Sequence, residues 1–306
     1  MSRRYLVLGD NHGDTASLER VRDDVGDETI DFAVHVGDFT RAWRNEREGR
    51  EPRAAAQLRA VEPHLEALDD LARHGLLWVW GNQEHFGDVD YELDVGTEVP
   101  DDGTVTVGGQ RFTSSPAAVE SNVILVTHME HWRLVDHFDG RAHFCGNTHR
   151  GRHMNRRLNS SFLRVRDEER GTDRFGGYFL VDVDDTGLDV ELRSIGSLER
   201  RECATHRERG LQFQPAGRDC MFCEDPTALF RELAASAFYG CTTDDETETV
   251  PREELVASAC DLWTDPPTDF RAEFAAYLAD VDDDRYAPLT SAGDDDLALA
   301  ENSYAY

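Results

Sequence analysis

The sequence contains no lysine, so all 32 of its basic residues are arginine, against 62 aspartate and glutamate residues. It also lacks any apolar run close to the roughly 18 residues that a membrane-spanning helix requires. The first apolar run, Tyr5 to Leu8, is too short for the core of a secretory signal and leads directly into Asp10. We therefore expect a cytoplasmic protein without a membrane segment.

The chain of 306 residues carries a formal net charge of −30. A high negative charge keeps a protein soluble in strong salt, and together with the missing lysine it predicts a halophilic protein of haloarchaeal type. The alternative is a disordered acidic chain. A hydrophobic content of 39% and several apolar runs favour a folded protein instead.

Five short clusters place side chains that can bind metals directly after apolar runs. Such runs predict buried strands, and the glycines in these clusters let the backbone turn sharply. Side chains just past the ends of neighbouring strands meet at one edge of a sheet, where open α/β sheets bind their ligands. The clusters are Gly9-Asp10-Asn11-His12-Gly13, Gly37-Asp38, Gly81-Asn82-Gln83-Glu84-His85, Thr127-His128 and Gly146-Asn147-Thr148-His149.

Each cluster alone has an ordinary structural explanation. Asp38 could be the N-cap of a helix, Asn82 a turn residue, and His128 a histidine at the end of a strand. That explanation must account for five coincidences in a fixed order, which short motifs rarely produce by chance. Aspartate, histidine and asparagine converging at one sheet edge therefore predict a metal site.

The order of these motifs resembles that of the calcineurin-like metallophosphoesterases. Their pattern is Asp-x-His, Gly-Asp, Gly-Asn-His-Asp/Glu, a lone His and Gly-His-x-His. The resemblance covers residues 1 to 196 and includes a predicted closing hairpin of Tyr178–Val183 and Leu188–Leu192. It implies an α/β fold in which a two-sheet sandwich is flanked by helices.

The resemblance also implies a dinuclear metal site that hydrolyses a phosphodiester or a phosphomonoester. Asp38 would bridge the two ions, and hydroxide held by the ions would attack phosphorus. Asp10, His12 and His149 would complete the first site, and Asn82, His128 and Asn147 the second. Carboxylate, imidazole and carboxamide ligands suit Mn, Fe or Zn.

Two residues depart from the family pattern. Gln83 stands where the family has a histidine near the leaving oxygen, and glutamine cannot supply a proton; His85 is the candidate substitute. Asn147 stands where the second metal normally has an imidazole, so we expect a looser second site. The alternative function is a catalytically weakened metal- and phosphate-binding module that recruits a partner through its C-terminal tail.

Residues 141–166 contain seven arginines and no acidic residue. Arginine matches phosphate oxygens with two parallel hydrogen bonds, so Arg150 or Arg152 is a candidate for stabilising oxyanion charge. The stretch favours a phosphate-rich substrate such as a nucleotide or nucleic acid. Exposed arginines paired with acidic neighbours would explain it equally well.

Two ligand pairs near residue 210 predict a structural zinc site. They are Cys203-x₂-His206 and Cys220-x₂-Cys223, separated by a 13-residue loop, and two chelating pairs joined by a loop of this kind are typical of closed tetrahedral sites. The alternative is four scattered residues in a polar loop.

The sequence predicts two domains. Residues 1–196 form the metallophosphoesterase domain, with helices at Thr15–Val25 and Arg53–His74. Residues 197–306 form an acidic C-terminal module with the zinc knuckle, a candidate site for a protein partner. Its predicted helices are Pro226–Tyr239, Pro251–Trp263 and Thr268–Ala279.

Overall fold

The structure is a computed structural model that describes residues 2–41, 50–86, 91–160, 163–164, 166–167, 172–173, 176–196, 198–215, 217–242 and 248–300. The chain forms two compact units. The first comprises Met1–His128, Asp139–Arg200 and Gln212–Arg218; the second comprises Met129–Phe138, Arg201–Leu211 and Asp219–Tyr306. The predicted domain boundary at residue 196 stays a prediction. None of the described helices has both the length and the apolar character needed to cross a membrane.

Most strands belong to the first unit. They are β1 (Arg3–Leu8), β2 (Phe32–His35), β3 (Leu76–Trp78), β4 (Thr97–Glu98), β5 (Val105–Val107), β6 (Gln110–Thr113), β7 (Val123–Val126), β8 (Ala142–Cys145), β9 (Gly151–Met154), β10 (Arg157–Ser160), β11 (Arg166–Asp167), β12 (Thr172–Asp173), β13 (Gly177–Val183), β14 (Leu188–Ser194), β15 (Leu198–Arg201) and β16 (Leu211–Pro215). The helices of this unit are α1 (Thr15–Val25), α2 (Arg50–Leu71) and α3 (Asn82–Phe86).

These strands form two large sheets. The six-stranded sheet has the order β14-β13-β1-β2-β3-β4, and the eight-stranded sheet has the order β15-β16-β9-β10-β8-β7-β6-β5. Strands β1, β2 and β3 are parallel, whereas β13 is antiparallel to β1. The predicted hairpin is confirmed, because β13 and β14 pair in antiparallel register with Val183 opposite Leu188.

Alternation along β1 explains how the two sheets and the helices pack. Successive side chains of a strand point to opposite faces, and all four residues from Tyr5 to Leu8 are buried. Leu6 and Leu8 join a core that includes Leu18 of α1 and Leu65 of α2. Tyr5 lies on the other face, where its ring is 5.6 Å from that of Phe144 in the eight-stranded sheet. The predicted α/β sandwich flanked by helices is therefore confirmed.

Helix α1 has the predicted bounds, whereas α2 is shifted by three residues at each end. Asp14 caps α1, since its side chain accepts a hydrogen bond from the Ala16 backbone N–H at 3.1 Å. Helix α2 ends at Leu71 instead of His74 because Asp69 accepts a hydrogen bond from Leu76 N at 2.7 Å. That bond turns the chain into β3 before a further helical turn can form.

The second unit contains helices and a small sheet. Its helices are α4 (Met221–Glu224), α5 (Pro226–Cys241), α6 (Arg252–Asp261) and α7 (Phe270–Ala279), and its strands are β17 (Val250–Pro251), β18 (Leu289–Ser291) and β19 (Asp296–Leu299). Helices α5, α6 and α7 confirm the three helical predictions, with ends that differ by at most two residues. Their apolar faces meet in one core, with Leu233, Phe270 and Phe274 among its buried members.

A buried ion cluster lies within the second unit. The Arg209 guanidinium is 1% exposed and forms two hydrogen bonds to the Asp136 carboxylate, at 2.9 and 3.0 Å. It also donates to Glu232, which is 2% exposed. The paired geometry satisfies charges that would be costly to bury alone. These bonds connect the segment Met129–Phe138, through Arg209, to α5.

Replacing Arg209 by methionine should strongly destabilise the second unit, because the buried Glu232 and the partly buried Asp136 would lose the guanidinium that they share. A loss of about 3–5 kcal/mol in the free energy of unfolding is expected from such a change. The measurement is urea unfolding in concentrated KCl. Arg111→Met is the control, since the Arg111–Glu120 pair is exposed and should matter far less. Equal losses in both variants would contradict this account.

Candidate metal centre

The ligand-type side chains come from the carboxyl ends of strands in both large sheets of the first unit. Asp10 and His12 follow β1, Asp38 follows β2, and Asn82 follows β3 in the six-stranded sheet. His128 follows β7, and Asn147 and His149 follow β8, in the eight-stranded sheet. Parallel pairing of β1 with β2, of β2 with β3, and of β7 with β8 points the strand ends within each sheet in a common direction. The predicted residues therefore converge, but from the strand ends of two sheets and not at the edge of one, as the sequence predicted.

The backbone at the site is left-handed at five of these positions. The φ angles are 57° at Asp10, 50° at His12, 57° at Asp38, 70° at Asn147 and 54° at His149. Residues other than glycine rarely adopt this region, and such strain concentrates at functional sites. Hydrogen bonds from Asp10 N to Gly37 O and from His12 N to Asp38 O, both 3.0 Å, hold the two loops together.

One group of four side chains can bind a single cation. In Asp10, His12, Asp38 and His149, one candidate ligand atom from each lies within 4.8 Å of all the others. His149 Nε2 is 3.4 Å from Asp10 Oδ1 and 3.0 Å from His12 Nε2. His12 Nδ1 donates to the Thr40 carbonyl at 3.1 Å, so its Nε2 carries the lone pair that faces the group.

The remaining predicted ligands lie beside Asp38 and beside each other. His128 Nε2 is 3.3 Å from Asp38 Oδ1, and its Nδ1 donates to the Val36 carbonyl at 2.8 Å. Asn82 Nδ2 donates to Asn147 Oδ1 at 2.8 Å. The Asn147 backbone N–H points at Asp10 Oδ2, 3.4 Å away. All seven predicted metal ligands therefore belong to one connected cluster.

The donor chemistry of this cluster fits divalent cations. Asp10 Oδ1 and His128 Nε2 are buried and accept no hydrogen bond from any described residue. Burial, reinforced by the charges of Asp10 and Glu84, raises the pKa of Asp38 well above its ordinary value. Burial lowers the pKa of His12 to about 3, so its imidazole is neutral, as a metal ligand must be. Buried lone pairs and carboxylates of this kind attract a cation.

Sequence reasoning missed two residues, His35 and Asn11, that support these loops without being candidate ligands. His35 is fully buried, and burial lowers its pKa to about 3. Its Nδ1 accepts from the Gly37 N–H at 3.2 Å, and its Nε2 donates to Asn11 Oδ1 at 3.1 Å. His35 occupies the last position of β2, and Asn11 lies between two candidate ligands. This closeness in sequence to the candidate ligands was the only signal that could have identified them.

Close approach of the loops explains two of the glycines. A Cβ at Gly37 would lie 2.8 Å from both Gly81 N and His128 Nδ1, and a Cβ at Gly81 would overlap Asp38. Any side chain at either position would push Asp38 away from His128. The glycines are thus required by packing between loops as well as by the sharp turn.

The segment around Gln83 is helical. Asn82–Phe86 forms the short helix α3, where residues two apart, such as Gln83 and His85, point in different directions. Gln83 is buried, and its Nε2 donates to Asn82 Oδ1 at 3.3 Å. His85 is exposed. The helix forms because Glu84 bonds back to the Gly81 N–H at 2.9 Å, in the manner of a capping interaction.

The arginines of residues 141–166 have varied surroundings. Arg150 is half-buried just before β9, Arg152 is 3% exposed within β9, and Arg141 pairs with Asp185 at 3.2 Å. Arg164 was not singled out by the sequence. Its neighbour Leu163 donates to the Gly9 carbonyl at 3.2 Å, and the charge of Arg164 adds to burial in lowering the pKa of His12. The side chain of Arg166 lies outside the described residues.

The second unit brings its four predicted ligands together. His206 Nδ1 is 3.4 Å from Cys203 Sγ and 3.5 Å from the Sγ atoms of Cys220 and Cys223. Cys203 Sγ and Cys223 Sγ are 3.7 Å apart. The alternative of four scattered residues is therefore wrong, and the group can hold a metal ion.

Several solved structures are similar to part of this chain. Among solved structures, the chain is similar to a conserved protein from Streptococcus pneumoniae described as a predicted phosphoesterase, with 17% identity over 63% of this chain and 90% of that chain and a TM-score of 0.34. It is similar to a novel archaeal phosphodiesterase, with 14% identity, coverage of 62% and 99%, and a TM-score of 0.37. It is also similar to the phosphoesterase Yfce from E. coli, with 16% identity, coverage of 58% and 90%, and a TM-score of 0.29.

No curated protein matches the chain. The family model of the calcineurin-like phosphoesterases matches residues 3–164, which include all seven clustered ligands. This match covers more than half of the 306 residues. The chain therefore belongs to the calcineurin-like phosphoesterase family and is a hydrolase of phosphate esters.

Proposed function

We propose that the first unit hydrolyses a phosphodiester or phosphomonoester at a dinuclear metal centre in which Asp38 is shared by both ions. Asp10, His12 and His149 would complete one site, and Asn82, His128 and Asn147 the other. The observation that carries this proposal is the convergence of two buried carboxylates with His128 Nε2, which accepts no hydrogen bond from the described residues.

When bound, two such ions lower the pKa of a shared water and neutralise charge on the phosphate; Mn, Fe or Zn would suit these ligands. The protein's own residues orient the ligand side chains. Thr40 O and Val36 O fix the tautomers of His12 and His128, so both imidazoles keep their lone pairs for the ions. Asn82, whose carboxamide reaches Asn147, would orient the phosphate, and Arg150 would stabilise its oxyanion charge.

Two arginines support a proposal for the substrate class. Arg150 is half-buried beside the last ligand motif, and the charge of Arg164 reaches His12. Two arginines near one phosphate site favour a substrate with more than one phosphate, such as a nucleotide or nucleic acid. The acidity of the chain and its lack of lysine support a salt-adapted, cytoplasmic enzyme, so assays require concentrated KCl.

The second candidate is a catalytically weakened metal- and phosphate-binding module, and two observations favour it. Asn147 Oδ1 accepts a hydrogen bond from Asn82, so both carboxamides must rearrange or share their oxygens to bind an ion. Gln83 supplies no proton to a leaving group. Under this alternative the first unit binds metal and phosphate with little turnover, and the C-terminal module recruits a protein partner.

The cysteine cluster of the second unit supports a structural zinc ion. A tetrahedral site with Zn–S bonds of about 2.3 Å and Zn–N bonds of about 2.0–2.1 Å has S···S edges of about 3.8 Å and N···S edges of about 3.5 Å. The Cys203–Cys223 separation of 3.7 Å and the His206–sulfur separations of 3.4–3.5 Å agree with these edges. A zinc ion here would join the segment of Cys203 and His206 to the start of α4.

Asp38→Asn should abolish most of the activity, because it removes the charge shared by both ions. With Mn²⁺ in concentrated KCl, hydrolysis of bis-p-nitrophenyl phosphate or p-nitrophenyl phosphate should fall by roughly 1,000-fold or more. Cys220→Ser, in the second unit, is the control and should keep its activity. Absence of measurable turnover by the wild type with each of the three metals would favour the catalytically weakened module.

Gln83→His should increase hydrolysis of esters with poor leaving groups, because an imidazole at this position can protonate the departing oxygen. The gain should be about 10²–10⁴-fold for alkyl esters and small for nitrophenyl esters, which leave without a proton. Gln83→Asn, which still lacks an acid, is the control. If His85→Ala alone removes activity toward alkyl esters, His85 is the proton donor and Gln83 does not limit the substrate.

Metal analysis of the purified wild type should find about two transition ions and one zinc ion per chain. Cys220→Ser should lose only the zinc, and unfolding of the second unit should then occur at a lower temperature. Asp38→Asn should lose transition ions and keep the zinc. A wild type that holds one transition ion fewer would identify Asn147 as too weak a ligand, and unchanged zinc in Cys220→Ser would contradict the zinc site.

A further inference from the structure

Glu84 is a buried carboxylate that no part of the proposed chemistry uses. It lies on α3, is 4% exposed, and forms no salt bridge with any described residue. A carboxylate buried without an ion pair is costly unless strong hydrogen bonds compensate. Its environment therefore has to supply several donors.

Both carboxylate oxygens of Glu84 are occupied by the two loops that carry metal ligands. Oε1 accepts from the Thr40 backbone N–H and from the Thr40 hydroxyl, each at 2.8 Å. Oε2 accepts from the Gly81 N–H at 2.9 Å. One side chain thus joins the loop after β2 to the loop after β3.

The groups held in this way lead directly to the ligands. The Thr40 carbonyl accepts the Nδ1 proton of His12 at 3.1 Å, so the position of Thr40 fixes the ring of His12. Gly81 precedes Asn82, and the Gln83 N–H donates to Asp38 Oδ1 at 2.9 Å. A shift of either loop would move ligands of both proposed sites at once.

We propose that Glu84 is a positioning residue that clamps these loops at the separation needed to bind the metal pair. Its carboxylate touches no proposed ligand side chain, so it acts through the backbone of Thr40 and Gly81. This inference rests on the proposed dinuclear site. It predicts that metal affinity depends on Glu84 although Glu84 is not itself a ligand.

The test is Mn²⁺ titration of the purified full-length chain by calorimetry in concentrated KCl. In Glu84→Gln, an NH₂ group replaces one acceptor and faces a backbone N–H of Thr40 or Gly81. Mn²⁺ affinity should fall about 10–100-fold, as is typical when partners behind a metal ligand are lost. Glu84→Asp keeps the charge but is too short to reach both loops, and its affinity should also fall.

Glu62→Gln is the matched control. Glu62 also accepts two hydrogen bonds, from the Tyr91 hydroxyl at 2.7 Å and from Asp94 N at 3.0 Å, but contacts no proposed ligand. Its substitution should lower the unfolding temperature without changing Mn²⁺ affinity. An equal loss of affinity in this control would indicate general destabilisation and overturn the clamp.

Two further results would overturn the inference. One is wild-type Mn²⁺ affinity in Glu84→Gln; the other is wild-type affinity in Glu84→Asp, which would mean that charge alone matters. If Glu84→Gln does not fold, Thr40→Val removes one of the three donors and should weaken Mn²⁺ binding about fivefold, and unchanged affinity would again overturn it. Failure of the wild type to bind Mn²⁺ would instead reject the dinuclear site itself.

Discussion

The organisation of the first unit depends on two carboxylates that are removed from water. Asp10 and Asp38 are each 1% exposed, and no arginine forms a salt bridge to either among the described residues. Burying such charges without compensation is unfavourable, so the fold has to supply cations at this point. The surrounding structure suits such cations: the imidazole of His12 is neutral, glycines allow close approach of the loops, and five of the candidate ligands have a left-handed backbone. Under the proposed function, bound cations would also supply the positive charge used in phosphate ester cleavage.

Much of this arrangement could be predicted because it is local in sequence. An apolar run followed by a ligand cluster fixes both a strand and its carboxyl end, and α1 and the β13–β14 hairpin follow from a capping aspartate and alternating residues. What could not be predicted depends on contacts between distant segments. The end of α2 is set by Asp69, which accepts a hydrogen bond from Leu76, and α3 is stabilised by Glu84, which accepts a hydrogen bond from Gly81. Neither contact can be predicted from the spacing of residues in the sequence.

The two departures from the family pattern act on different parts of the reaction. The Gln83 backbone donates to Asp38, so under the proposed function the substitution at this position would affect the departure of the leaving group and not the ligand positions. Asn147 would alter the proposed second metal site, since its oxygen accepts a hydrogen bond from Asn82. An enzyme with both changes would favour substrates whose leaving groups need little help. The cysteine cluster of the second unit is chemically independent of either change, because soft sulfur ligands select a different ion.

The left-handed backbone at five ligand positions limits how this centre can evolve. Asparagine, aspartate and histidine are the residues other than glycine that tolerate positive φ best, and the five positions contain only these three types. Glutamate or glutamine could coordinate the same ions, yet the main chain disfavours them here. Asn147, with φ of 70°, keeps to the residue types that this backbone tolerates. Substitutions at these five positions are therefore limited to very few residue types.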